Sequence, residues 1–291
     1  MSQYTSISFP GLGIQGINPP ATFSVFGFDI HFYGLIIAVG LLLSIWYGLK
    51  RSKVFGLKED DILDGVLWIV PFAIICARLY YCIFEWDSYK SDPLSVVQIW
   101  NGGLAIYGGV IGAALGVIVF AKMKKVSLPA VLDLVAIAFL IGQSIGRWGN
   151  FMNREAFGSE TASFLRMGLY NTYTQTWEYH HPTFLYESLW NALGFVLLHF
   201  ASKKRKYDGQ MALLYVMWYG FGRSIIEGLR TDSLYWGPVR VSQALAAISC
   251  VAAVTVLTIM QFRKQDPQNL FVNKVSTEEE ITEEVIEETE E

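Results

Sequence analysis

Runs of about 20 apolar residues, separated by short polar stretches, recur along the chain. Seven are read, at about 30–49, 62–84, 103–121, 129–148, 183–201, 210–229 and 241–262. Wound as helices, such runs are long enough to cross a hydrocarbon layer of about 30 Å. A segment inside that layer must satisfy its own backbone hydrogen bonds, which a helix does. The pattern predicts an all-α polytopic membrane protein, a bundle of about seven transmembrane helices. In the third run Gly108, Gly112 and Gly116 recur every four residues and share one helix face, with Gly109 and Ala113 beside them. Such a stripe lets a neighbouring helix approach closely, and a lipid groove is the alternative reading. Pro71 predicts a kink in the second run.

The polar stretches set an orientation. Lys50, Arg51, Lys53 and Lys58 follow the first run, and Lys122, Lys124 and Lys125 the third. Lys203, Lys204, Arg205 and Lys206 follow the fifth, and Arg263 and Lys264 the seventh. All four clusters fall on one side if the N-terminus is outside and the C-terminus cytoplasmic. The other side keeps one lysine, Lys90, and Arg78, Arg147, Arg154, Arg166, Arg223, Arg230 and Arg240. Those arginines read either as an outward site for lipid phosphate, which suits a planar fork, or as snorkelling and helix-end pairs. Residues 1–29 lack a basic start and are broken by Pro10, Gly11, Gly13, Pro19 and Pro20. They read as an extracytoplasmic lead-in along the membrane surface rather than a signal peptide. Residues 30–262 are then the seven-helix transmembrane domain, with a small outer head at about 150–181 rich in Tyr170, Tyr173, Trp177 and Tyr179. Residues 263–291 form an acidic cytoplasmic tail whose composition predicts disorder.

Composition agrees with the pattern. The 291 residues are 53% hydrophobic and 16% charged, against roughly 25% charged in soluble domains. The net charge of −4 hides a basic membrane part, because nine glutamates crowd into residues 277–291. Cys76, Cys82 and Cys250 lie in apolar runs and read as small hydrophobes. His199 reads as structural, while His31 and His181 stand at the arginine-rich ends of the first and fifth runs. There is no phosphate-cradling loop, paired-aspartate cation motif or nucleophile elbow. No metal, cofactor or nucleic-acid partner is expected.

Two constellations carry chemistry. Gly146-Arg147-Trp148-Gly149-Asn150-Phe151-Met152-Asn153-Arg154-Glu155 ends the fourth run. It sets two arginines, a glutamate and two amides where hydrocarbon gives way to water, a costly placement that suits an anionic ligand. In the sixth run Arg223 and Glu227 are four apart on one face, with Arg230 three further along. A salt bridge internal to that helix is the plain reading. Convergence of two arginine–glutamate sets at one membrane level favours a site.

These segments resemble the prolipoprotein diacylglyceryl transferase family. Residues 146–158 look like its signature, and four further matches follow in order. They are His31-Phe32-Tyr33-Gly34, Trp100-Asn101-Gly102-Gly103-Leu104, His181-Pro182-Thr183-Phe184-Leu185-Tyr186-Glu187, and the Arg223–Glu227 pair. The resemblance runs from about residue 24 to 262. It implies a bacterial plasma-membrane enzyme that moves the diacylglyceryl group of phosphatidylglycerol to the lipobox cysteine thiol of a preprolipoprotein. A thioether forms and glycerol phosphate leaves at the extracytoplasmic face. It further implies essential roles for Tyr33, Arg147, Asn150, Glu155, Gly158, Arg223 and Glu227. Arg147 and Arg223 are expected at the phosphate. Glu155 and Glu227 are expected either to accept the thiol proton or, the favoured reading, to hold the arginines, since a carboxylate paired with arginine is a weak base. Tyr107, His31, Arg230, Tyr186 and Glu187 are expected to contact substrate. Tyr107-Gly108-Gly109 stands where many members carry His-Gly-Gly, so either tyrosine serves there or that position carries no obligatory proton transfer. The competing class is a membrane binder or transporter of an anionic lipid, with no thiol acceptor.

Overall fold

The computed structural model describes residues 3–26 and 28–277. Its helices are α1 (Phe32–Arg51), α2 (Glu59–Phe84), α3 (Trp86–Tyr89), α4 (Ile106–Lys124), α5 (Leu128–Asn153), α6 (Thr183–Ser202), α7 (Gln210–Ile226) and α8 (Val241–Phe262). Those of α1, α2, α4, α5, α6 and α8 are long and apolar enough to cross a membrane, six in all among the described residues. The sixth predicted run, at 210–229, is the shorter α7, of 17 residues, which stops at Ile226 and passes into a 3-10 turn at Glu227–Leu229. The fifteen residues from Thr277 include the acidic stretch, of which 278–291 lie outside the described residues.

The all-α expectation describes the apolar part but not the whole chain. Strands β1 (Tyr4–Phe9), β2 (Ile14–Ile17), β3 (Thr22–Val25) and β4 (Phe28–His31) occupy the segment read as a lead-in. Further strands are β5 (Met167–Asn171), β6 (Thr176–His180), β7 (Tyr235–Trp236) and β8 (Val239–Arg240). β1, β2, β5 and β6 form one antiparallel sheet in the order β2-β1-β5-β6, with Tyr4 opposite Asn171 and Ile7 opposite Leu169.

The chain forms two compact units, residues 1–47 with 135–267 and residues 48–134 with 268–291. In the first, alternate residues of β1 and β5 point to one face of the sheet. Ile7, Phe9, Met167 and Leu169 there bury against Phe184, the second residue of α6, with Phe151 of α5 beside them. Burial of each such side chain is worth roughly 1.5–3 kcal/mol. Gly40 of α1 meets Gly142 of α5 so closely that a Cβ on Gly40 would touch its Cα at 3.4 Å. Ser44 donates across the same contact to the carbonyl of Ala138. His199 sits in the interior of this unit, its Nδ1 2.9 Å from the hydroxyl of Tyr47, a structural role.

In the second unit α4 packs along α2 through the glycine stripe. A Cβ on Gly108 would stand 2.4 Å from Cβ of Tyr80, and one on Gly112 2.5 Å from Cβ of Cys76. Helix packing is therefore what the stripe does at those positions. α2 runs unbroken through Pro71. Arg78 of α2 turns into the loop that precedes α4, where it donates to the carbonyls of Ser95, Val96, Gln98, Gly102 and Gly103.

Candidate active site

The first unit gathers a charged cluster where three helices end or begin. α5 is helical through its polar last turns, so Arg147 and Asn150 share one face. Glu187 stands in the second turn of α6, Arg223 in the last turn of α7, Glu227 opens the 3-10 turn, and Arg230 follows it. Glu187 is the hub. Its Oε2 is 2.7 Å from Arg147 Nη2, and its Oε1 is 2.9 Å from Arg223 Nη1 and 3.4 Å from Arg230 Nη1. Arg223 also reaches Glu227 with its other nitrogen, at 2.5 Å. The side chains of Glu187 and Glu227 are 4% and 2% exposed, whereas that of Arg147 is 23% exposed. A buried carboxylate is tolerated only with such partners, and removing one from a buried pair costs about 3–5 kcal/mol.

Charge and exposure point the same way. Three guanidinium groups surround two buried carboxylates, which leaves positive charge over. Asp232, half exposed, offsets it at Arg230 through contacts of 2.7 and 2.9 Å. Burial raises the Asp232 carboxyl, but the Arg230 hydrogen bonds and charge outweigh it and hold it below the usual range. Among the described residues Arg147 has no such second carboxylate. Beyond Glu187 its contact is Asn150 Oδ1, at the 3.5 Å limit of a hydrogen bond. It is the guanidinium best placed to take an incoming anion.

The signature segment holds this cluster without supplying both of its arginines. Glu155 pairs with no arginine among the described residues; it accepts hydrogen bonds from Asn150 Nδ2 at 3.0 Å and Asn153 Nδ2 at 3.3 Å. The expectation that Glu155 holds an arginine is corrected accordingly, and Glu187 does that work for Arg147. Glu155 orients Asn150, which in turn faces Arg147. Arg154, the segment's other arginine, turns to backbone. It donates to the carbonyls of Thr5, Met152 and Pro19, and so ties the N-terminal strands to the end of α5. Its φ of 55° and that of Ala156, 56°, are left-handed, a cost the surrounding contacts must offset.

The other expected residues are placed as follows. Tyr33, in the first turn of α1, lies against Gly149, where a Cβ would come within 2.7 Å of its Cδ2. It therefore lines the turn that carries Arg147 and Asn150. Gly158 threads between two chains: its N–H donates to the His181 carbonyl at 2.9 Å, and a Cβ would stand 2.8 Å from the Leu229 carbonyl oxygen. Backbone crossing accounts for the glycine. Tyr186 has its hydroxyl 3.3 Å from Nδ1 of His181. His31 lies in β4, exposed, opposite Thr22. Tyr107 belongs to the second unit, exposed in the first turn of α4. Arg166 donates to the carbonyls of Ala162 and Ser163, and Arg240 to the Tyr235 hydroxyl and the Glu227 carbonyl.

The sequence model of the family described as prolipoprotein diacylglyceryl transferase matches residues 20–259. The chain belongs to the prolipoprotein diacylglyceryl transferase family. Similar relatives bear the name phosphatidylglycerol–prolipoprotein diacylglyceryl transferase. That of Listeria monocytogenes is 43% identical over 263 residues, covering 88% of this chain and 95% of the relative. That of Enterococcus faecalis is 42% identical over 272 residues, covering 89% and 96%. That of Limosilactobacillus reuteri is 41% identical over 262 residues, covering 86% and 94%. Against that family background the hub position of Glu187 is what sequence reasoning missed. Its signal was a carboxylate four residues into an apolar run, a placement that asks for a cationic partner.

Proposed function

We propose that this chain is the enzyme that transfers the diacylglyceryl group of phosphatidylglycerol to the lipobox cysteine of preprolipoproteins. The observation that carries the reading is the meeting of Arg147 and Arg223 on one buried carboxylate, with Arg147 partly open. In the reaction the cysteine sulfur bonds to the glyceryl carbon, and the bond from that carbon to the phosphate-ester oxygen breaks. Glycerol phosphate leaves with the electron pair, and the thiol proton is released. The leaving group gains negative charge in the transition state, and preorganised guanidinium groups in a water-poor setting stabilise such charge strongly. Arg147 and Arg223 supply that stabilisation, and their positive field favours the thiolate form of the incoming cysteine. Glu187 and Glu227 fix both forks, Asn150 and Glu155 orient Arg147, and Tyr33 lines the same turn.

The placement in the membrane belongs to the same proposal. α7 with its 3-10 extension spans about 30 Å, enough for a seventh crossing. Seven crossings put every lysine cluster on one side, with the N-terminus outside and the C-terminus cytoplasmic. The charged cluster then faces outward from the bacterial plasma membrane, where phosphatidylglycerol and the secreted preprolipoprotein both meet it. Residues 3–26 and 154–181 form the head above it.

The test uses full-length protein in phosphatidylglycerol nanodiscs with a lipobox peptide. Glycerol phosphate release that requires the peptide cysteine is the expected result. Release that ignores the cysteine identifies a lipase, and lipid binding without release identifies a binder or transporter; either overturns the proposal.

A further inference from the structure

α6 and α7, joined by residues 203–209, repeat one interval: Trp190 and Gly194 in the first, Trp218 and Gly222 in the second. The two indoles stack face to face, ring centroids 4.0 Å apart and planes within 10°. The indole N–H of Trp190 donates to the Trp218 carbonyl at 3.1 Å, and that of Trp218 donates to the Trp190 carbonyl at 3.0 Å. Each indole edge lies over the glycine of the opposite helix. A Cβ on Gly222 would stand 2.1 Å from Nε1 of Trp190, and one on Gly194 2.3 Å from Nε1 of Trp218.

The interval of four has a physical cause. Side chains of a helix tilt toward its N-terminus, so the residue at i+4 covers the carbonyl of residue i. Glycine at i+4 leaves that carbonyl open, and its second lone pair takes the partner indole N–H. Two such contacts, reciprocal across one helix pair, fix both separation and register. A slide of one turn, about 5.4 Å, sets each indole against residues that all carry a Cβ. The charged cluster lies one turn away. Glu187 precedes Trp190 by three residues, and Arg223 directly follows Gly222.

We propose that Trp190, Gly194, Trp218 and Gly222 form a reciprocal lock that sets α6 against α7 and thereby holds Glu187 opposite Arg223. The four are positioning residues, which act through Glu187 and Arg223. The inference rests on the reading of Arg147, Arg223 and Glu187 as the reaction centre. In the same nanodisc assay, kcat and KM are measured for Gly222→Ala, Glu187→Gln and the double variant. Gly222→Ala is expected to lower kcat at least about tenfold, with KM for the lipid moving less. Its effect on top of Glu187→Gln is expected to shrink to about threefold or below, because coupled groups are non-additive. An equal factor in both backgrounds makes the contact merely structural and overturns the lock's positioning role, as does unchanged kcat in Gly222→Ala. Full activity in Glu187→Gln overturns the site reading itself. Trp218→Phe, which keeps a ring and drops the N–H, runs the same cycle should Gly222→Ala fail to assemble.

Discussion

Arg78 and Arg147 both project from apolar helices, and their surroundings make them opposites. Arg78 is 5% exposed, and its guanidinium donates to five backbone carbonyls while lying over the ring of Tyr89. It is saturated with neutral acceptors. Arg147 leans on one carboxylate that it shares with Arg223 and Arg230, and its side chain stays 23% exposed. The first arrangement fixes a loop; the second leaves a guanidinium partly open, as the proposed reaction needs. Residue type and position near a helix end do not distinguish them; the count and charge of the acceptors does.

The comparison breaks most sharply under paired lysine substitutions. Arg147→Lys keeps the charge and loses the fork, so kcat/KM is expected to fall at least about 100-fold, roughly 2.7 kcal/mol, while the melting temperature shifts little. Arg78→Lys is expected to do the reverse. It forfeits several charge-assisted hydrogen bonds, each worth about 1.5–3 kcal/mol, and loses stability while turnover per folded molecule persists. Matching profiles for the two variants erase the distinction.

Arg154→Ala sharpens it at a smaller scale. Loss of the bonds to Thr5, Met152 and Pro19 is expected to expose residues 3–26 to protease and to lower the melting temperature. Turnover of the folded fraction is expected to fall less than tenfold, about 1.4 kcal/mol. An effect on turnover as large as that of Arg147→Lys puts Arg154 in the ligand set. The smallest effect concerns the head sheet. Hydrogen bonds from Asn171 and then Tyr4 hold the Glu178 carboxyl below its ordinary value of 4.5. Burial, followed by the Glu178 hydrogen bond and charge, pushes the Tyr4 hydroxyl up to about 12. With a depressed carboxyl, the stabilisation is full above pH 4.5 and is lost as pH falls through the lower folded value. Glu178→Gln is expected to remove that acid-side slope in thermal melts, and an unchanged slope assigns it to other carboxyls.

The apolar runs were legible because hydrocarbon selects on local sequence: six fell within a few residues of helices long enough to span. The run at 210–229 overshot because Glu227 leaves α-helical geometry for a tighter turn at the charged cluster. The head sheet was not legible. β1 pairs with β5 across at least 160 residues, and Tyr4-Thr5-Ser6-Ile7-Ser8-Phe9 alternates too weakly to announce a partner that far away. The charged cluster was half legible. Arg223 and Glu227 stood out by their spacing of four and Arg147 by the polar segment that ends its apolar run, but the choice of Glu187 over Glu155 as the shared carboxylate depends on how α5 and α6 meet. That contact is set by Ser144, Trp148 and Ser188, whose hydrogen bonds join the two helices and which carry no charge to draw attention.

The most direct measurement is a structure of the full-length protein with phosphatidylglycerol bound. The account predicts the lipid phosphate within hydrogen-bond reach, about 3 Å, of guanidinium nitrogens of both Arg147 and Arg223, with Glu187 still joining them. A phosphate seated on Arg154 or Arg78, or on only one of the two arginines, contradicts it.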